Sequence, residues 1–340
     1  MPTRRAPALP PAKATADASS TATEIVSTWR AFGELVAIAG NNGGRGLNIP
    51  TVGCNNAPVT PTAGRTIPVR RVDIDFDSAS IPRHYMADGM IASHVVTVLS
   101  CLFPAGEDFF VDSVRHYRDR VTDPGLRRQV TAFVGQEAIH SREHRAVNDA
   151  LGRLGYPTAT IDRNVTVALR TLRRLLPPPM RLAVTAALEH YTATLAYLLL
   201  SDPAVEGMAL APEIRAIFTW HAIEEFEHKA VAFDVYQLVS GNHALRSITM
   251  RLTTVGFLIA VAVGTVQSLL SDPDARHPRA LLASLRASRS SPFVSRALWS
   301  RIRDYHRRDF HPDDHDDPEL LERWVDRLFG PAGEMVGSLR

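Results

Sequence analysis

The sequence predicts an all-α protein, and two observations carry the prediction. From Pro82 onward, apolar residues recur at helical spacing in long runs separated by proline, glycine or Asp-Pro breaks. Strand-like patterning is confined to one weak alternation, Val69, Val72, Ile74 and Phe76, with no second alternating run to pair with it. That stretch reads as an extended lead-in to the helices.

Ahead of it, residues 1–65 are rich in Ala, Pro, Thr, Gly and Asn, including NNGGRG at 41–46 and NNAPVTPTAG at 55–64. Such a composition buries too little apolar surface to offset its ordering entropy, so 1–65 reads as a disordered N-terminal arm with one amphipathic piece at 23–39. Residues 66–340 read as a single helical domain. Within it, helices are expected at 84–102, 105–121, 124–154, 162–174, 178–201, 211–239, 244–271, 279–304 and 318–329. The breaks are Pro104, Asp123-Pro124, Gly155-Tyr156-Pro157, Pro177-Pro178-Pro179, Asp202-Pro203 and Ser240-Gly241-Asn242.

Composition excludes several function classes. The formal charge is +2, from 38 basic and 36 acidic residues, and no basic run is interleaved with aromatics, so no nucleic-acid partner is expected. Two cysteines, Cys54 and Cys101, build neither a disulfide framework nor a thiolate metal site. The first residues lack the apolar core of a secretory signal, and the expectation is a cytoplasmic protein. Residues 252–271, LTTVGFLIAVAVGTVQSLLS, carry no charge. They are open to two readings, a membrane-associated segment or a helix buried on the bundle or in a homodimer interface. The run DFHPDDHDDPE (309–319) reads as a solvated loop without a site, and 318–329 as an amphipathic helix packing through Leu320, Leu321, Trp324 and Leu328.

Chemistry concentrates in two places. QEAIHSREH (136–144) holds Glu137, His140 and His144, which at i, i+3 and i+7 fall within about 60° of one another on a helix. WHAIEEFEHK (220–229) holds His221, Glu225 and His228 at i, i+4 and i+7. Two helices thus each present a Glu-x-x-His pair. That doublet, with one glutamate from each of two further helices, is how antiparallel four-helix bundles hold two metal ions. The missing glutamates should each be isolated in an apolar helical run. Glu107, in FPAGEDFFVDSV, and Glu189, the one acidic residue between Leu182 and Leu200, meet that requirement. Four carboxylates balance two divalent cations, and carboxylate mixed with imidazole suits iron first, then manganese, then zinc.

A lone Glu-x-x-His arises often by chance, and the case rests on two of them with two isolated glutamates between. His144 stays open as a ligand, a hydrogen-bonding neighbour of a ligand or a core histidine. Glu143, Glu224 and Glu227 are expected to face solvent or pair with arginine, or else to orient a ligating imidazole. His190 points away from Glu189 and reads as structural; His94 receives no role.

These motifs bring a resemblance. Through PVRRVDIDF (68–76), LFPAGEDFF (102–110), QEAIHSREH (136–144), TAALEHYTA (185–193), WHAIEEFEHKAVAFDVY (220–236) and FHP (310–312), the chain resembles a bacterial family of predicted metal-dependent hydrolases. The ligand order also resembles that of the p-aminobenzoate N-oxygenase type of di-iron protein. Carried over position by position, that pattern falls on Glu107, Glu137 with His140, Glu189, and His221 with Glu225 and His228. The resemblance implies a ferritin-like four-helix bundle with additional helices and a pair of irons that activates O2.

The function expected on these grounds is a nonheme di-iron or dimanganese oxidoreductase that oxidises a small organic substrate with O2, drawing electrons from a ferredoxin or reductase. The alternative is dimetal hydrolysis of an ester or phosphoester, in which the cations activate a bridging water. Iron storage is a third class, disfavoured by the long arm and the extra helices.

Overall fold

A computed structural model describes residues 66–76, 80–86, 89–203, 211–288 and 295–340. All of them lie in one unit, Arg45–Arg340. The arm expected at 1–65 lies outside the described residues.

Helix α1 runs Met90–Arg115, with Gly89 at its N-cap in a positive-φ conformation that favours glycine. The expected break at Pro104 does not occur: one helix replaces 84–102 and 105–121. A proline inside a helix leaves the carbonyl four residues earlier without its donor. Here that carbonyl, Ser100 O, accepts from Asn148 Nδ2 at 3.1 Å, so the ladder is completed from the neighbouring helix. Helix α2, Pro124–Arg153, begins with Asp123 accepting from Leu126 N at 2.7 Å and proline in the first turn.

Helices α3, Thr158–Leu175, and α4, Pro178–Ser201, follow, the second with the expected bounds. The run expected as one helix at 211–239 is two, α5 Pro212–His228 and α6 Val231–Val239. At the break, the buried Lys229 ammonium bonds Asp316 Oδ1 at 3.0 Å and His315 O at 3.2 Å and sits 3.9 Å above the Phe226 ring. Helix α7 is His243–Leu270, capped by Asn242. The stretch 279–304 gives α8, Pro278–Ala287, and α9, Arg296–Asp304, in place of one helix; α10 is Pro318–Phe329. Among the described residues, extended pairing is limited to an isolated bridge between Val72 and Leu339.

Four helices close a ring: α1 packs on α2 and α4, and α5 packs on α4 and α2. Helix α3 lies against α1 and α2, and α7 lies outside against α1 and α4. A core of Val147, Leu151, Ile214, Ile217, Trp220 and Ile223 fills one side of the ring together with Val72, Tyr85 and Trp324. Trp324 fixes α10 by donating to Leu200 O at 2.8 Å. The run 309–319, expected to be a solvated loop, is instead docked: Phe310 and Pro312 are buried and His311 bonds Asp234 at 2.9 Å. Helices α1 and α7 are long and apolar enough to cross a membrane by length and composition; that window is 67% buried in α1 and 22% buried in α7.

The Pro104 repair is testable. Asn148→Ala strips the donor from Ser100 O and should cost about 1–3 kcal/mol in denaturant unfolding; an unchanged midpoint would show that the carbonyl is satisfied elsewhere.

Candidate metal centre

All seven side chains singled out in the sequence, five by helical spacing and two as isolated glutamates, meet in the middle of the ring. Glu107 comes from α1, Glu137 and His140 from α2, Glu189 from α4, and His221, Glu225 and His228 from α5. None is more than 3% exposed. Their nitrogen and oxygen atoms form overlapping groups, each within 4.8 Å: Glu107–Glu137–His140, His140–His221–Glu225, and Glu137–Glu189–His228.

Each imidazole has one nitrogen held from outside and one aimed at the carboxylates. His228 Nδ1 bonds Gln136 Oε1 at 2.9 Å, leaving Nε2 at 3.1 Å from Glu137, 3.3 Å from Glu189 and 3.5 Å from Glu225. His140 Nε2 bonds Glu224 Oε2 at 3.1 Å, leaving Nδ1 facing Glu137 at 3.7 Å. For His221 the tautomer follows from the hydrogen-bond network. Ser100 Oγ donates to Asn148 Oδ1 at 2.7 Å, so it accepts from His144 Nδ1 at 2.9 Å. His144 Nε2 then accepts from His221 Nδ1 at 2.6 Å. His221 Nε2 is left as a lone pair 2.8 Å from Glu225 Oε1, a repulsive approach unless a cation or proton lies between them.

His144 is thereby placed: both its nitrogens are engaged, and it orients His221. Of the alternatives for Glu143, Glu224 and Glu227, solvent exposure is ruled out, because all three are buried; pairing with arginine holds for each, and Glu224 also orients His140. Burying a carboxylate requires a partner, and here the lead-in supplies it. Arg70 bonds Glu227 at 2.7 and 2.8 Å and Glu224 at 3.2 Å, while Glu143 accepts from Ile74 N at 3.2 Å and Arg142 Nε at 2.7 Å. Gln136 Nε2 closes the network on Glu227 at 3.1 Å and Pro68 O at 2.9 Å. The roles of Arg70 and Gln136 escaped the sequence reading. A signal was present: EEFEH stacks three carboxylates on one helix beside a single lysine, so a cation had to arrive from a distant segment. His190 faces the other way, onto Arg301 O at 2.9 Å. His94 joins His84 on Asp272, at 2.9 and 2.8 Å.

The donor atoms fit metal ions. Among the described residues, both oxygens of Glu107, Glu137 and Glu189, Oε2 of Glu225, Nδ1 of His140 and Nε2 of His228 are buried without a hydrogen-bond partner. Orphaned buried polar atoms are rare, and a set converging on one volume calls for a cation. Without one, protons substitute for it. Burial pushes the Glu137 and Glu189 carboxyls up to about 8, and holds Glu107 well above the ordinary range. Burial alone would lower His228, but Glu225 and Glu189 hold it well above its usual value. Burial would raise Glu225, but His228 and His221 hold it well below. Burial and the neighbouring imidazoles keep His144 and His221 neutral.

An all-helical protein with a buried carboxylate and imidazole cluster of this kind is a candidate metalloprotein. The chain belongs to the family of predicted metal-dependent hydrolases, whose profile spans residues 68–316. No curated protein and no solved structure matches it.

The carboxyl shifts give a pH dependence with a definite sign. Between the usual glutamate pKa and about 8, the metal-free folded state keeps protons on Glu137 and Glu189 that the unfolded chain has lost. The folded state binds more protons there, so stability falls as pH rises. Above pH 7, where unfolded histidines are mostly neutral, the melting temperature of metal-free protein should drop toward pH 8.5. Saturating divalent metal should remove the drop and release protons on binding. A metal-free melting temperature that rises over this interval would contradict the assignment.

Proposed function

We propose that this chain is a dimetal enzyme on a ferritin-like antiparallel four-helix core, in which Glu107, Glu137, His140, Glu189, His221, Glu225 and His228 bind two divalent cations. The observation that carries the proposal is the convergence on one volume of nine buried donor atoms that have no hydrogen-bond partner among the described residues. Four glutamates neutralise two divalent charges, and iron ranks ahead of manganese and zinc for this mixed donor set. When bound, such a pair supplies either an activated water for hydrolysis or, with iron or manganese, electrons for reaction with O2.

The residues around the ligands do the positioning. Gln136 and Glu224 fix the tautomers of His228 and His140, and His144 fixes His221. Arg70 holds Glu224 and Glu227 in place from outside. Phe133, Trp220 and Phe103 wall the imidazoles at ring distances of 4.9, 4.9 and 4.6 Å and keep bulk water off them.

Two reactions fit this centre. Hydrolysis of an ester or phosphoester is the reading family membership supports, and oxidation must displace it. Oxidation of a small organic molecule by O2 is favoured by two features: the near-complete burial of the ligands, which admits O2 more readily than a bulky ester, and the full carboxylate charge, which blunts Lewis acidity. Oxidative turnover would require an external electron donor such as a ferredoxin or reductase.

One comparison separates the two. Protein loaded anaerobically with Fe(II) should take up O2 in proportion to bound iron if the reaction is oxidative. Protein loaded with Zn(II) or Mn(II) should cleave nitrophenyl esters or phosphodiesters without O2 if it is hydrolytic. Wild-type protein should hold about two metals per chain, and Gln136→Leu, which frees His228 Nδ1, should weaken metal binding by about 10–100-fold. A chain that binds no divalent metal at either site would end the proposal.

A further inference from the structure

Helix α7 is inside out. Past its first two turns, where Arg246 and Met250 are buried, its bundle-facing side is small and hydroxyl-bearing: Thr253, Gly256, Gly264, Thr265 and Ser268 are buried. Its outward side is aliphatic: Val255, Leu258, Ile259, Val266 and Leu270 are 36–76% exposed. The spacing from Val255 to Ile259, Ala262, Val266 and Leu270 makes one continuous stripe of about 22 Å. A helix whose outer face meets water carries the opposite pattern. Small and hydroxyl residues inward with branched aliphatics outward is the pattern of a helix solvated by hydrocarbon. The inward side is also fixed: a Cβ on Gly264 would lie 2.8 Å from the Val98 side chain, and Ser268 Oγ bonds His94 at 2.6 Å.

Charge says what covers the stripe. Over 243–288 the exposed charged residues are Arg251 at one end of the stripe, Arg276, Arg279 and Arg286 beyond the other, and Asp274 as the single exposed acid. The amphipathic α8 that follows exposes Leu282 and Leu285 among these arginines. Self-association across the stripe would bring like charges together, whereas an anionic bilayer surface satisfies both the arginines and the aliphatic face. The helix cannot cross the bilayer alone, because it is packed along α1 and α4, and the bundle exposes Arg127, Arg128, Arg142 and Arg145 on α2.

We infer that α7 and α8 form a docking surface that seats the protein in the headgroup plane of an anionic membrane, with the α7 stripe in the acyl boundary. The surface is independent of the chemistry at the buried centre. Flotation of the full chain with vesicles tests it. The protein should float with phosphatidylglycerol-containing vesicles and bind pure phosphatidylcholine at least about tenfold more weakly. Val255→Ser, Ile259→Ser and Val266→Ser combined should abolish flotation while leaving the melting temperature and metal content unchanged. Arg276→Gln, Arg279→Gln and Arg286→Gln combined should remove the preference for the anionic lipid. Three results would overturn the inference: no flotation with either vesicle, flotation unaffected by the serine variant, or a solution dimer that the serine variant dissociates, which would mean that a second copy covers the face.

Discussion

Carrying four carboxylates and three imidazoles into the dry interior of a helical ring is the constraint around which the rest of this protein is arranged. Desolvating one ionised carboxylate is costly, and here several lie within a few ångströms of one another. The protein offsets that repulsion in two layers. Donor atoms that face inward are left without protein partners and fit divalent cations. Carboxylates just outside, Glu224 and Glu227, are met by Arg70. The same layer sets imidazole tautomers, because each ring nitrogen that bonds outward forces its opposite to present a lone pair inward.

Helix geometry answers to this centre. Glu107 lies one turn past Pro104, and it reaches the cluster because α1 continues through the proline; a break there would swing the carboxylate away. The carbonyl freed by the proline is met by Asn148, on the same helix as Glu137 and His140, and Asn148 also anchors the Ser100–His144–His221 relay. One side chain thus completes the helix ladder at the proline and fixes a tautomer. The lead-in, with no regular structure of its own, is held by Gln136 on Pro68 and by Glu143 on Ile74, and in that position it delivers Arg70.

Away from the centre, α7 shows the same logic with the opposite sign. Gly264 and the inward hydroxyls let α7 approach α1 closely, and its aliphatic residues are turned out. Packing, not hydropathy, decides which face of such a helix is buried: 252–271 reads as an uncharged run, and which side turns inward is settled only against α1 and α4.

The sequence by itself determined the helical class, most helix bounds and the convergence of seven ligand-type residues. Those properties are local: a period of 3.6 puts Glu137 and His140 on one face, and an isolated glutamate in an apolar run has few other places to go. Tertiary structure alone decided that α1 runs through Pro104, that 211–239 breaks after His228, and that Glu143, Glu224 and Glu227 are buried. It also decided that 309–319 docks, that His144 serves His221, and that Arg70 guards the centre from more than 150 residues away. Each of these depends on a donor or charge supplied by a segment distant in sequence, and no period or spacing along one helix encodes which segment that will be.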